Sequence, residues 1–298
     1  MVRINPEKCR ACGVCLDYCP LEAISLVPSG PAADVFSETT VVREPSGGSP
    51  GKEFREVTAG EQGGVVLFLT AGPLPDTSRQ LRSRVAYIDP SLCVQCWVCL
   101  RQRVCSFGAI EATFPEDFYH LFQHVISDPV ETTAETGVPG RGTEEAKTND
   151  VSGRYRRGEV GVAIDMGRPG LGCRLRDVEK VAMAVAAAGL VLEGPEHTPL
   201  AKLMADLKTG RIQEASRDLR VLSVIIEGKC SEGKLPAVLT ALRRVETEIE
   251  TVFTLGLVSR VEADGTAPLL AILERLGFPR PLRGKVNVGL GRPPAAET

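Results

Sequence analysis

The 298-residue chain has few of the side chains and none of the motifs on which hydrolytic and phosphoryl-transfer enzymes usually depend. It contains only three histidines. It has no Walker-type phosphate loop, no G-x-S-x-G nucleophile motif and no H-E-x-x-H zinc motif. These absences give hydrolysis and phosphoryl transfer little support.

Long apolar runs and a strong net charge are also missing. The longest apolar stretch, residues 181–192, is about half as long as a bilayer-spanning helix. The first ten residues lack the apolar core and the cleavage site of a secretory signal. A formal net charge of −3 argues against nucleic-acid binding and against a polybasic membrane-surface protein. We therefore expect a cytoplasmic protein that binds no nucleic acid and has no membrane span.

Cysteine is abundant and unevenly distributed. Ten cysteines in a reducing cytosol are better explained as metal ligands or reactive thiols than as disulfides. Eight of them lie within residues 9–105, and only Cys173 and Cys230 follow. The single tryptophan, Trp97, and seven of the nine phenylalanines precede residue 123. Composition therefore divides the chain into two unlike parts.

The eight early cysteines form two closely spaced motifs. The first has the pattern C-x2-C-x2-C-x3-C-P and contains Cys9, Cys12, Cys15 and Cys19. The second has the pattern C-x2-C-x2-C-x5-C and contains Cys93, Cys96, Cys99 and Cys105. Such short gaps let three thiolates of one loop converge on a cubane cluster, whereas zinc sites usually separate two cysteine pairs by a dozen or more residues. The spacing predicts iron–sulfur sites, with a zinc knuckle or a disulfide knot as the alternatives.

The two motifs lie within an internal repeat. Residues 4–24 and 88–110 share an isoleucine, a proline, four cysteines and a closing Ala-Ile. At these residues the chain resembles the bacterial two-cluster 4Fe–4S ferredoxins, a family of small electron carriers. The resemblance covers about 1–26 and 85–113. The second motif departs from the family in its x5 gap and in Ser106, which stands where the family has proline.

The resemblance implies that each motif lends its fourth cysteine to the cluster of the other motif. One 4Fe–4S cluster would be held by Cys9, Cys12, Cys15 and Cys105. The other 4Fe–4S cluster would be held by Cys93, Cys96, Cys99 and Cys19. An enlarged loop can still return its cysteine to the cluster, so Cys105 is kept as a ligand.

These motifs predict a function in electron transfer. Two clusters related by a repeat suit a path for single electrons better than a structural staple does. We expect the protein to pass electrons to or from a partner oxidoreductase, in anaerobic metabolism. A homo-oligomer is a possible assembly. One alternative is a reductase or dehydrogenase subunit whose C-terminal domain binds an organic substrate or a flavin, although no motif supports flavin. Another is a redox-sensing regulatory subunit, and whether the chain is itself an enzyme stays open.

The predicted fold class is α+β, in two domains. Residues 1–126 form a ferredoxin-type module with two 4Fe–4S clusters and a long insertion at about 27–84. Residues 127–158 are a linker or a functional loop. Residues 159–298 alternate strands and helices, which predicts an α+β sandwich of ferredoxin-like or ACT-like βαβ units that binds a partner or a ligand. A doubly wound parallel sheet is the alternative.

Several weaker signals have two interpretations each. His120 and His124 share a helix face, where packing explains them better than a metal. The glycine-rich residues 167–172 suit a phosphate loop or, more simply, a tight turn. Cys173 and Cys230 are either redox-active thiols or isolated core residues. Four arginines around the linker could hold an anion or be solvated: Arg141, Arg154, Arg156 and Arg157.

Two further features concern the second cysteine motif. Trp97 lies between two of its cysteines and is expected to shield a cluster or simply to pack. Arg101 and Arg103, in the enlarged loop, could place positive charge near that cluster and raise its potential, or they could form a solvated rim.

Overall fold

The computed structural model describes residues 1–29, 84–133, 154–262 and 264–278. Most of the predicted insertion and of the linker, including Arg141, lies outside these ranges. The sequence also predicts a hairpin at 53–72 and a last strand at 285–293, and both of these lie outside the described residues as well. The described residues contain both helices and strands in small sheets, so the fold class is α+β. Among them, no helix has the length and apolar character needed to span a membrane.

The N-terminal part is built from short strands that precede or follow the cysteine motifs. Its elements are β1 (Val2–Ile4), a 3-10 helix (Val14–Tyr18), β2 (Ile24–Pro28), β3 (Arg84–Ile88), α1 (Val98–Arg101) and β4 (Ile110–Ala112). β1 pairs antiparallel with β4, and β2 pairs antiparallel with β3. Each two-stranded sheet therefore takes one strand from either repeat. This pairing brings the two cysteine motifs together.

The sequence predicts a short amphipathic helix at 115–126, with Pro115 at its start. The helix observed there, α2 (Phe118–Ser127), begins three residues later. The Asp117 carboxylate accepts a hydrogen bond from the His120 N–H at 3.0 Å, which caps the helix and fixes its start. Phe122 and Ile126 join the C-terminal hydrophobic core. On its other side, the Gln123 amide donates to the Cys93 carbonyl at 3.3 Å. α2 thus packs between the two parts of the protein.

The C-terminal part consists of eight strands and three helices in the described residues. They are β5 (Glu159–Met166), β6 (Cys173–Arg174), α3 (Leu175–Ala187), β7 (Val191–Leu192), β8 (Met204–Asp206), β9 (Arg211–Ile212), β10 (Arg220–Val221), β11 (Val224–Ser231), α4 (Leu235–Val245), β12 (Phe253–Ser259) and α5 (Pro268–Arg275). The sequence also predicts a small helix around 198–207. The structure has a 3-10 helix there (Pro199–Leu203), because β8 begins at Met204 and pairs with β9.

The central sheet has four strands in the order β12-β5-β11-β7. All of its pairings are antiparallel. β5 and β7, connected through α3, lie on either side of β11, and β11 and β12, connected through α4, lie on either side of β5. Each crossover therefore skips one strand, as in split β-α-β units. The alternative of a doubly wound parallel sheet is wrong for the described strands.

Helices α3 and α4 bury apolar residues at helical spacing and share one core with the sheet. The buried residues of α3 include Leu175, Val178, Val181 and Val185, and those of α4 include Leu235, Val238, Leu239 and Leu242. The facing strand β5 contributes Val160, Val162, Ile164 and Met166, each at most 2% exposed. This amphipathic packing is what the sequence periodicity predicts.

The glycine-rich turn at 167–172 attaches the C-terminal part to the first cysteine motif. The Gly170 N–H donates to the Pro20 carbonyl at 2.5 Å. The Leu171 and Gly172 amides donate to the Arg168 carbonyl, and the Gly167 amide donates to the Val252 carbonyl. Because these amides donate to carbonyls within the protein, they are not free to bind a phosphate. The residues therefore form a tight turn, and the phosphate-loop interpretation is not supported.

Substitutions in this turn should separate backbone strain from steric overlap. Gly167 and Gly170 both have left-handed backbones, with φ of +82° and +88°. A Cβ on Gly167 would lie 2.6 Å from the Leu222 carbonyl oxygen, whereas a Cβ on Gly170 would meet nothing within 4 Å. We expect Gly170→Ala to lower the free energy of unfolding by about 1 kcal/mol and Gly167→Ala by about 3 kcal/mol. Denaturant unfolding followed by circular dichroism measures both, and equal losses would contradict the packing described.

Candidate iron–sulfur sites

The two cysteine motifs have the same unusual backbone. In both, the residues two and four positions after the first cysteine are left-handed: Ala11 and Gly13 in the first motif, Gln95 and Trp97 in the second. Three of these four are not glycine, and such conformations cost of order 1 kcal/mol or more each. They persist only where the surroundings enforce them, commonly at functional sites. The two motifs therefore repeat in backbone conformation as well as in sequence.

Four cysteines line one cavity, which we call site 1. They are Cys9, Cys12, Cys15 and Cys105. The cavity has a volume of about 340 Å³, part of it open to solvent. Its other walls are mostly apolar and include Ile4, Ala86, Val104 and Ile110. Three of the sulfurs come from the first motif and one comes from the second.

The other four cysteines line a second cavity, which we call site 2. They are Cys19, Cys93, Cys96 and Cys99. This cavity has a volume of about 360 Å³ and apolar walls that include Val2, Leu21, Val94 and Trp97. Three of its sulfurs come from the second motif and one from the first. The structure therefore groups the eight cysteines in the two sets that the ferredoxin resemblance implies.

Amide groups donate hydrogen bonds to the sulfurs of both sites. The donor–sulfur distances for backbone amides are 3.1 Å for Ala23 to Cys19, 3.3 Å for Ala109 to Cys105, and 3.4 Å for Ala11 and Ala86 to Cys9. The Gln95 side chain also lies 3.5 Å from the Cys93 sulfur. Ala23 and Ala109 each follow the fourth cysteine of their motif by four residues. Such N–H···S bonds favour thiolate over thiol and tune the potential of a bound cluster.

Burial makes these thiols poor acids when no cation is present. Burial, with smaller contributions from neighbouring Cys12, Cys9 and Cys105, raises the pKa of Cys15 to about 11. Burial also raises the pKa of Cys99 to about 12, with added contributions from Cys96, Cys93 and Cys19. Four thiolates in one apolar cavity therefore require a positively charged centre, and its binding releases protons.

The spacing of the sulfurs suits a cluster better than a single metal ion. A tetrahedral zinc with bonds of about 2.3 Å would draw its four sulfurs to within about 3.8 Å of one another. Among the described residues, no three cysteine sulfurs lie within 4.8 Å of one another, although this limit is met by His124, Asp128 and Glu131. The sulfur spacing and the N–H donors together fit a 4Fe–4S cubane in each site.

Trp97 forms part of the wall of site 2 and is 8% exposed. Its ring centroid lies 4.0 Å from that of the fully buried His124, whose Nδ1 lies 2.7 Å from the Gln95 carbonyl oxygen and donates to it. Phe114 meets the indole edge-on at 4.9 Å. The buried Trp97 Nε1–H has no hydrogen-bond partner among the described residues. Trp97 is thus packed against its neighbours, and its indole N–H is available to donate a hydrogen bond to a cluster sulfur.

Both carboxylates of the His124, Asp128 and Glu131 group are already paired with an arginine. The Arg101 guanidinium lies 2.7 Å from the Asp128 carboxylate and 3.0 Å from that of Glu131. Asp128 is fully buried, so this cation satisfies a carboxylate that would otherwise be costly. Because two carboxylates offset the charge of Arg101, this residue does not supply the net positive charge predicted near the second cluster. Arg103 is exposed.

The weaker metal and anion candidates are engaged in protein contacts. The His120 Nδ1 lies 2.8 Å from the Asp117 carboxylate, so His120 and His124 have different partners. Near the linker, the Arg157 guanidinium lies 3.6 Å from the Glu262 carboxylate, and that of Arg154 lies 5.6 Å from the Tyr155 ring centroid. The sequence did not identify Gln95 or Gln123 as site residues, because a glutamine between cysteines carries no motif signal.

Cys173 and Cys230 lie within strands β6 and β11 and belong to the C-terminal core. Burial raises the pKa of Cys173 to about 12 and that of Cys230 to about 11. Because the thiolate is the reactive form, we expect neither residue to react with iodoacetamide at pH 8 in the folded protein, and both to react after denaturation. Peptide mass spectrometry reads out both states. Rapid native labelling of either thiol would revive the redox-thiol interpretation.

Comparison with known proteins bears on the N-terminal part. Residues 2–25 match the family model for the 4Fe-4S binding domain. No curated protein and no solved structure matches the chain. The chain therefore carries a 4Fe–4S module of the ferredoxin type at its N-terminus, which supports a general role in iron–sulfur electron transfer.

Proposed function

We propose that this protein carries single electrons to or from a partner oxidoreductase by means of two 4Fe–4S clusters. The observation that carries the proposal is that two cavities are each lined by four cysteines, three from one motif and one from the other. A family match over 2–25 supports the cluster type. A site that only stapled a loop would not need a duplicate built from the other repeat.

The residues of each site have distinct tasks in this proposal. Cys9, Cys12, Cys15 and Cys105 hold one cluster, and Cys19, Cys93, Cys96 and Cys99 hold the other. Each cluster, when bound, supplies a one-electron redox centre. The apolar walls limit water at the sulfurs, and the N–H donors offset the negative charge of the thiolates. Both effects set the potential through the surroundings of the cluster.

We further propose the two-domain organisation that the sequence predicts, with boundaries at 1–126, 127–158 and 159–298. The strand order β12-β5-β11-β7 and the two split β-α-β crossovers support a ferredoxin-like, ACT-like sandwich for the second domain. Its role would be to dock the partner or to bind a ligand. A cytoplasmic location, anaerobic metabolism and a homo-oligomer stay predictions.

A reductase that binds an organic molecule or a flavin is the second candidate. It is favoured by a cleft of about 650 Å³, partly open to solvent, on the side of α2 that carries Phe118 and Leu121. Its walls are mainly apolar, with Thr132, Thr133 and Lys202 as the polar exceptions, as in many small-molecule sites. A chromophore that copurifies and absorbs beyond the broad iron–sulfur bands would favour this candidate. Pure iron–sulfur absorbance would favour the electron carrier.

Chemical analysis tests the metal content. We expect protein purified without oxygen to contain about eight iron atoms and about eight acid-labile sulfides per chain. Iron and sulfide assays with elemental analysis measure this, and the full chain is used throughout. Zinc alone, or iron without sulfide, would contradict the proposal.

Paired cysteine substitutions test the crossed ligand sets. In Cys9→Ala/Cys105→Ala both changes fall in site 1, so one cluster should stay intact and give an unaltered EPR signal on reduction. In the matched control, Cys9→Ala/Cys19→Ala, one ligand is lost from each site, so no unaltered signal should remain. If each motif instead held its own cluster, the two double variants would give the opposite results.

A further inference from the structure

The two sites differ in how closely another molecule can approach them. We infer that external redox proteins exchange electrons with this protein at site 1, at the Cys12 edge, and that site 2 is reached from within the protein. This inference rests on the proposed function. It adds the site of electron exchange and a docking surface to that function, and it identifies the partner as a one-electron redox protein with apolar residues around its own cofactor.

Site 1 opens to the surface at one of its ligands. Cys12 is exposed, unlike the other three cysteines of the site, which are buried or half-buried. Phe107, which lines the same cavity, is 49% exposed. Val14, which follows the cavity residue Gly13, is 46% exposed. A cofactor edge at Cys12 would thus be accompanied by an apolar surface of the kind that protein contacts bury.

Site 2 is covered on several sides. Cys96 and Cys99 are each 8% exposed, and Trp97, Val94 and Leu21 close the cavity with exposures of 8%, 2% and 5%. Leu222 of the C-terminal part packs against Leu21 and Val94.

Two elements hold this cover in place. From α2, the Gln123 amide bridges the Cys93 carbonyl at 3.3 Å and the Arg220 carbonyl at 2.8 Å. From the glycine-rich turn, Gly170 donates to the carbonyl of Pro20, next to Cys19. A redox protein can therefore approach site 1 more closely than site 2, and electron exchange is fastest at the shortest approach.

Each exchange between site 1 and a partner protein transfers a single electron. A reduced donor protein loses one electron, and site 1 gains it. No bond forms or breaks, and no proton is needed. Oxidation by an acceptor protein is the reverse. Site 2 exchanges the same electron with site 1 through the protein interior.

Paramagnetic relaxation tests the difference in access. A soluble dysprosium chelate added to the anaerobically reduced protein should shorten the relaxation of the site 1 EPR signal several-fold more than that of site 2. The signal of site 1 is identified by Cys105→Ser, which alters that site and leaves Cys12 in place. Equal effects on both signals, or a larger effect on site 2, would overturn the inference. Absence of both iron–sulfur signals would overturn the proposed function itself.

Electron exchange with a protein donor tests the docking surface. We expect Val14→Ser/Phe107→Ser to slow reduction by flavodoxin hydroquinone, the protein probe, by about tenfold, because apolar contact is lost. Reduction by dithionite, a small reagent, should be unchanged. Val130→Ser is the matched control, since Val130 is 59% exposed and does not line site 1. Unchanged flavodoxin rates in the double variant, or equal slowing in the control, would overturn the docking surface.

Discussion

Pairing between strands of opposite repeats is the constraint on which both sites depend. β1, which precedes the first cysteine motif, pairs with β4, which follows the second, and β2 pairs with β3 in the same crossed way. This arrangement places Cys105 beside the first motif and Cys19 beside the second. The sheets have only three to five residues per strand, so the sulfurs and whatever they bind contribute to holding them together.

Without a bound cation, the apolar surroundings of the cysteines disfavour the thiolate form that a metal centre needs. Apolar walls raise the pKa values of Cys15, Cys93 and Cys99 to between about 11 and 12, which disfavours the thiolates. Amide donors and a positive centre reverse this preference. The left-handed backbones of Ala11, Gln95 and Trp97 are a further cost that ligand binding can offset. Cluster binding and folding of the N-terminal part are therefore linked.

The local features of the fold could be predicted from the sequence, and the long-range contacts could not. Cysteine spacing indicated two iron–sulfur motifs, and apolar spacing predicted α3 and α4, because both signals lie within a short stretch of chain. The crossed ligand sets were implied only by the ferredoxin resemblance and stay a prediction. The sequence predicts a longer helix where the structure has the 3-10 helix Pro199–Leu203. The pairing of β8 with a later strand ends this helix, and local periodicity does not reveal such a pairing. The phosphate-loop alternative at 167–172 failed for a related reason. Its amides are used by Pro20, Val252 and Arg168, and two of these residues are distant in sequence. The ion pairs of Arg101 with Asp128 and Glu131 are likewise formed between residues about thirty positions apart.

Diffraction from crystals grown without oxygen tests the crossed arrangement most directly, by anomalous scattering at the iron edge. The account predicts two iron centres, one surrounded by Cys9, Cys12, Cys15 and Cys105 and the other by Cys19, Cys93, Cys96 and Cys99. A single centre, a signal at the zinc edge instead, or a centre bounded by all four cysteines of one motif would contradict it.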